Sequence, residues 1–349
     1  MNRVGRYAFI HAKLRARLSK MLSSEKEKAL SEAASLNEGL HLLKGTEYEE
    51  IARIYESTGD LKMCELELRK KEITTLQEIR KNLKEELADF IDALLLYYET
   101  DKVKNLFRLW FDRKVRGRDI RFYTGYLIHD RILYSIPADG IINADSPAET
   151  VSLLEGTPFR EPGEQKLSTS VRGGSLFLFE TELDRIYYRE LFTAIDRLPK
   201  KDRGIALKLY SAEVDLENIN RIIRFSNFYG YTYQETRPYL LPYGEGTVYR
   251  NSAAGSGETD SREKEQELYS SVLEDYGIAL DSADNAAWSR DNRLELLNGM
   301  MEQVLDREVQ KILYGYPFTI GIILAYIIRK KKEINRVMGI LNTLNYKTS

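Results

Sequence analysis

Reactivity in this chain would have to come from three histidines, one cysteine, or the acidic and glycine-rich clusters, so their spacing comes first. His11, His41 and His129 stand far apart and form no HxxxH, HExxH or Cys/His pattern; no metal site is expected from them. Cys64 has no histidine near it in sequence, which predicts a structural thiol rather than a nucleophile. Being alone, it also excludes an intramolecular disulfide framework and fits a reducing compartment. Neither GEG at 244–246 nor GSG at 255–257 follows a strand signal, and no GxxxxGK(S/T) run could cradle a phosphate. Acidic pairs such as Glu180 and Glu182 read as surface charge on a helix. The sequence therefore predicts no catalytic residue, no cofactor-binding residue and no metal ligand. What remains is a scaffold, and the elements that build it carry the argument.

Those elements are helices. The chain has 349 residues, 43% hydrophobic and 30% charged, with only eight prolines. That suits long helices with charged faces around a sizeable core. With 52 basic against 54 acidic residues, nothing calls for nucleic acid as a partner. Met1–Arg17 carries charges among its apolar positions and shows no signal-peptide core. One run imitates a membrane span: Ile312–Ile328 is free of charge but is interrupted by Pro317. The stretch after the proline falls short of the roughly twenty residues a span needs. A buried helix with Pro317 near its first turn is expected instead, in a soluble chain.

The chain repeats itself. Residues 42–48 read LLKGTEY and residues 153–159 read LLEGTPF, each expected to end a helix on two core leucines with Gly45 or Gly156 as a left-handed cap. A second pattern occurs three times, with apolar residues spaced 0, 3, 6, 7: Val103, Leu106, Leu109, Trp110; then Leu216, Ile219, Ile222, Ile223; then Ile334, Val337, Ile340, Leu341. On a helix each set covers an arc of about 120° and buries one stripe. Leu96, Leu209 and Ile327 precede the three copies by one heptad, and Asn105 and Arg108 match Asn218 and Arg221. Three units are expected, over residues 1–117, 118–235 and 236–349.

Between the repeated helices the polar stretches Glu99–Lys102, Ser211–Asp215 and Arg329–Lys332 read as short joints, with Asp101 and Asp215 as N-caps. The basic run RKKKE at 329–333 reads as a solvated turn, or else as a contact for an acidic partner loop. Two stretches rich in Gly, Ser, Pro and charge, Arg160–Ser175 and Leu241–Lys264, read as loops, the second as a flexible one. Tyrosines cluster at Tyr97 and Tyr98, Tyr187 and Tyr188, and Tyr229, Tyr231 and Tyr233; helix packing with the hydroxyl reaching solvent is the plain reading.

Several segments also resemble successive landmarks of a known family. YAFIHAKLRARLSKML at 7–22, ETELDRIYYREL at 180–191, EVDLENINRIIRF at 213–225 and PFTIGIILAYIIRKKKEINR at 317–336 look like the C subunit of the archaeal and bacterial A-type/V-type ATP synthases, a relative of the d subunit of the vacuolar ATPase. The loop at 251–264 and the basic joint depart from that pattern. The resemblance implies an all-α fold of three similar helical domains about a pseudo-threefold axis, forming a funnel. It implies a non-catalytic connector, peripheral to the cytoplasmic face of the membrane, between D/F-type central-shaft subunits and the membrane rotor ring. Shaft docking would use apolar and small residues inside the funnel, and ring docking polar loops. The residues taken without the resemblance leave a second reading open, a helical-repeat adaptor in another complex. That class of protein, however, usually stacks many units of 20–50 residues.

Overall fold

The computed structural model describes residues 3–226, 230–243 and 293–348, together with residue 274. Among the described residues 76% are helical and none is in a strand, so the fold is all-α. The chain divides into two compact units, Met1–Ala194 with Ile322–Ser349, and Ile195–Gly321.

The first unit opens with α1 (Arg3–Leu18), α2 (Ser24–Ser31), α3 (Leu36–Leu42) and α4 (Glu49–Thr58). Short helices need caps, since their end groups are a large share of their hydrogen bonds. Ser23 and Ser35 supply them, accepting from Lys26 N and Glu38 N. Two long helices then form a hairpin, α5 (Leu61–Lys81) and α6 (Glu85–Lys114). A row of small elements follows: α7 (Arg121–Thr124), α8 (Ala138–Asn143), α9 (Pro147–Ser152), α10 (Arg160–Pro162), a π-helical turn at Gly163–Leu167 and α11 (Ser168–Arg172). The longer α12 (Phe177–Arg197) comes next. Its early residues tie back to α6, with Lys104 2.5 Å from Asp184 and Arg108 forked onto Glu180 at 2.7 and 2.9 Å.

The second unit holds α13 (Lys200–Arg224), α14 (Tyr233–Thr236) and α15 (Arg293–Tyr314). Helix α13 packs on α15, with Lys208 2.9 Å from Glu308. Buried Asp202, at the start of α13, accepts from Ile320 N at 3.0 Å and pins the segment after α15. Gly321 must be glycine there, because a Cβ would lie 2.6 Å from Ile312 Cγ2.

The last helix, α16 (Gly321–Thr348), returns to the first unit. Ile334, Val337, Leu341 and Leu344 recur at steps of three and four, one stripe of a helix. They share a core with Leu30, Leu36, Leu40, Leu43, Ile51 and Leu68. Gly39 makes this possible, since a Cβ on it would come within 2.9 Å of Leu344 Cδ1. The two ends of the described chain therefore make one hydrophobic core. No helix among the described residues is long and apolar enough to cross a membrane.

The LLxGT repeat holds down to single hydrogen bonds. Gly45 and Gly156 sit at φ 72° and 73°. Thr46 and Thr157 hydroxyls donate back to Leu43 and Leu154 carbonyls at 2.6 and 2.7 Å, and accept from Tyr48 N and Phe159 N. Upstream, Glu38 accepts from Ala34 N and Glu149 from Asp145 N, opposite the capping serines Ser35 and Ser146. Each resembles a capping box, with the glutamate accepting from the residue before the cap, and the two stand 111 residues apart. A further match appears after the long helices: Gly117 and Gly230 both have positive φ, and each leads to a one-turn helix and a buried aliphatic pair, Leu127–Ile128 or Leu240–Leu241.

Several expectations change. The polar stretches at 99–102, 211–215 and 329–332 are not joints: each lies inside an unbroken helix, α6, α13 or α16. Asp101 and Asp215 are accordingly not N-caps. None of the three stretches contains Gly or Pro, and buried helix side chains can turn their polarity on neighbouring backbone instead of water. The true turn of the first hairpin is at 82–84, between α5 and α6. Arg160–Ser175 is mostly helical rather than a loop, since its small residues allow helix packing: a Cβ on Gly163 would meet Val151 Cγ2 at 2.9 Å. Pro317 precedes α16 by four residues instead of sitting in its first turn, though Ile322–Tyr326 are buried as expected. Of each leucine pair only the second, Leu43 or Leu154, is buried, and Leu42 is exposed, because consecutive helix residues face different sides. Most of the 241–264 stretch, GEG and GSG included, lies outside the described residues.

Candidate functional site

Two clefts flank α5 in the first unit, both bordered by α16. The smaller, of about 590 Å³, lies among Arg17, Tyr48, Lys71, Glu72, Tyr326 and Lys330. Its floor is a buried polar knot. The Glu333 carboxylate accepts from Leu22 N at 2.5 Å, from the Tyr48 hydroxyl at 2.6 Å and from Lys330 at 2.8 Å. Lys330 also reaches Glu47 at 2.9 Å and lies 4.4 Å above the Tyr48 ring. Burial works against the charge on Lys330, but the carboxylates of Glu333 and Glu47 outweigh it and raise its pKa. Burial and then Glu333 hold the Tyr48 phenol protonated far above its ordinary range. The basic run predicted as a turn or an outward contact is thus partly internal. Lys330 is spent inside, while Lys331 is exposed and lies 4.8 Å over the Tyr97 ring.

The same device occurs on α6. Glu99, fully buried, accepts from Leu133 N at 2.7 Å and Tyr134 N at 3.0 Å, and Lys102 donates to the Asp130 carbonyl at 2.9 Å. On α13 Asn218 exchanges both of its amide hydrogen bonds with the backbone of Leu241, and Arg221 donates to the Tyr239 carbonyl. In α6, α13 and α16 alike, polar side chains pin a passing segment. Glu99, Lys102 and Glu333 were the residues that sequence reasoning misplaced. The available signal was an acid and a lysine three apart, with aliphatic heptad positions on both sides and no helix breaker.

The larger cleft, of about 790 Å³, runs along the other side of α5, where Arg69, Asp101, Asn105, Asn335, Gly339 and Asn342 face it. Arg69 is 2.8 Å from Asp101. Glu72, which borders both clefts, has its pKa raised by burial against the pull of Lys331 and Arg69. Such surfaces can bind a partner, but they offer no nucleophile beside a base.

The candidate reactive groups do not come together. His11 is on α1 beside Arg15, His41 on α3, and His129 is exposed after α7. Burial and then Arg15 lower the His11 pKa. Among the described residues no three His, Cys, Asp or Glu side chains form a metal-holding group. Glu180 and Glu182 are partly exposed ion-pair partners of Arg108 and Arg185. The tyrosine pairs pack edge-on, with Tyr97 5.3 Å from Tyr98 and 5.6 Å from Tyr187. Cys64 lies in the shared core, and burial pushes its thiol up to about 11. Since the thiolate is the reactive form, Ellman's reagent at pH 8 is expected to label native chain at least ~100-fold more slowly than chain unfolded in guanidinium. Comparable rates would mean that the core opens readily.

Comparison with known proteins places the chain in a family. The family model for the ATP synthase (C/AC39) subunit matches residues 10–349. The A-type ATP synthase C subunit of Thermococcus onnurineus is 24% identical over 358 aligned residues, covering 97% of this chain and 86% of that protein. The corresponding subunit of Thermococcus gammatolerans is 22% identical, covering 95% and 84%. That of Methanothermobacter thermautotrophicus is also 22% identical, covering 95% and 82%. With a family model spanning nearly its whole length, the chain belongs to the ATP synthase (C/AC39) subunit family.

Proposed function

We propose that this chain is a non-catalytic connector of a rotary A-type ATP synthase, joining D/F-type central-shaft subunits to the membrane rotor ring on the cytoplasmic side. It couples ATP turnover in the head to movement of protons or sodium ions through the ring. The observation that carries this reading is the shared core of the chain's two ends, with α16 sealed among α2–α5 through Glu333. A part that passes torque needs stiffness more than reactive groups. An unbroken 30-residue helix such as α6 runs about 45 Å, and its buried polar side chains lock it to its neighbours.

Three domains at 1–117, 118–235 and 236–349, arranged as a funnel, belong to the same proposal. Support comes from the paired capping arrangements, from Gly117 and Gly230, and from the pinning residues of α6, α13 and α16. Counted through the repeat, Glu99 and Lys102 fall on Lys330 and Glu333, the same helix step with the charges exchanged.

Reconstitution tests the reading. In vesicles holding the assembled enzyme, removing this subunit should leave ATP hydrolysis by the head and abolish ATP-driven ion uptake, both recovered on adding the subunit back. Ion uptake that persists without it would overturn the connector role. An adaptor in another complex would be revealed by failure to bind either shaft or ring subunits.

A further inference from the structure

Three of the exposed large apolar side chains of the first unit lie within nine residues of one another, whereas Phe9, Leu42 and Tyr346 stand apart. Phe122 is 68% exposed and Tyr123 51%, with their rings 5.6 Å apart and edge-on, and Val115 is exposed nearby. All three lie on the stretch from the end of α6 through α7. Gly117, at φ 65°, turns the chain there.

The same stretch is strongly basic. Residues 113–123 read RKVRGRDIRFY, five cations against one carboxylate. The acids facing it are few. Asp112 accepts from Arg116 at 2.9 Å and from Arg118 at 3.4 Å, Asp119 from Arg121 at 2.7 Å, and Asp145 from Lys114 at 2.7 Å. Arg113 is partly used on the Ile142 carbonyl. Counting all three acids leaves an excess of two positive charges, and the Arg121 side chain is 91% exposed.

The fold does not require this decoration. The corresponding stretch after α13, residues 226–236, reads SNFYGYTYQET and contains no lysine or arginine. It keeps the positive-φ glycine and the one-turn helix. A solubilising loop would not place an exposed phenylalanine at its tip, and a packing element would have buried it. Exposed aromatics flanked by arginines are the combination that enters a headgroup layer, where the ring takes the interface and the guanidinium the phosphate. Tyr123 borders the larger cleft, while Phe122, Arg116, Arg118 and Arg121 line neither.

We propose that the Arg113–Tyr123 stretch is a membrane-contact site for anionic phospholipid headgroups. This goes beyond the connector reading and does not depend on it, because the contact needs no other subunit. Each net cation at an anionic surface raises binding roughly fivefold, so two give a preference of about twenty-fivefold over neutral lipid.

The test is co-sedimentation of the purified full chain with two kinds of vesicle, pure phosphatidylcholine and two parts phosphatidylcholine to one part phosphatidylglycerol. Wild type should prefer the anionic vesicles by at least about tenfold. The double variant Arg118→Glu/Arg121→Glu should lose that preference, and Phe122→Ala should weaken binding to both. All three positions are exposed, and an unchanged thermal melt checks that the variants fold. Equal binding to the two vesicles, or charge reversal without effect, overturns the proposal. Absent vesicle binding, with the double variant instead failing to bind rotor-ring subunits, would assign the patch to a protein contact and equally overturn it. The ion-uptake assay above reports on the connector reading separately.

Discussion

Glu333→Ala is expected to destabilise the first unit by about 3–5 kcal/mol, the cost of leaving a buried charge network without one partner. Glu333 is 5% exposed and is the one acceptor for Leu22 N, the Tyr48 hydroxyl and a shared Lys330. Removing it leaves a backbone amide and a phenol without their acceptor, while Lys330 keeps Glu47 and the Tyr48 oxygen. Glu333→Gln preserves the shape and part of the hydrogen bonding, so about half that loss is expected. Urea unfolding followed by circular dichroism measures both. Because Cys64 shares the core with α16, its labelling rate gives an independent readout and should rise in parallel. A loss below ~1 kcal/mol for the alanine variant would mean that the apolar stripe of α16 holds the ends together unaided.

Trp110→Ala should be comparably severe, about 3–5 kcal/mol, for a different reason. The ring is 1% exposed, sits edge-on to Phe107 at 6.4 Å, and donates its Nε1–H to the Ala144 carbonyl at 3.0 Å. Alanine there empties a large volume between α6 and α8 and also orphans a carbonyl. Trp110→Phe separates the two effects. It keeps most of the packing and should lose about 1–3 kcal/mol from the smaller ring and the missing donor. If the two variants were equally unstable, the hydrogen bond rather than packing would dominate. A loss under ~2 kcal/mol for the alanine variant would show that the neighbouring helices close the gap.

How much of this was legible in the sequence depended on range. Local physics came through: the left-handed glycines, and the aliphatic stripes with Val103, Leu106, Ile219, Ile222, Val337 and Leu341 all buried. Polar residues inside helices did not. Glu99 and Lys102 look like loop residues when judged by type, and nothing near them in sequence says that residues 130–134 will pass close enough to be bound. Glu333 is harder still, because its donors are Lys330, Tyr48 and Leu22, two of them some three hundred residues away. The basic run was read as facing outward for the same reason, since the carboxylate that takes Lys330 inward is Glu47. The exposed arginine and aromatic stretch was not legible, since exposure is a property of the folded surface.

The core shared by Leu30–Leu68 and Ile334–Leu344 also sets a timetable for synthesis. A ribosome adding about 5–20 residues per second releases α16 roughly 15–60 s after α2–α5. For that interval Leu36, Leu40, Ile51 and Leu68 have no partner for the side that α16 will cover. Contacts of such long sequence separation form late, so the nascent N-terminal helices are the stretch most in need of a chaperone's protection.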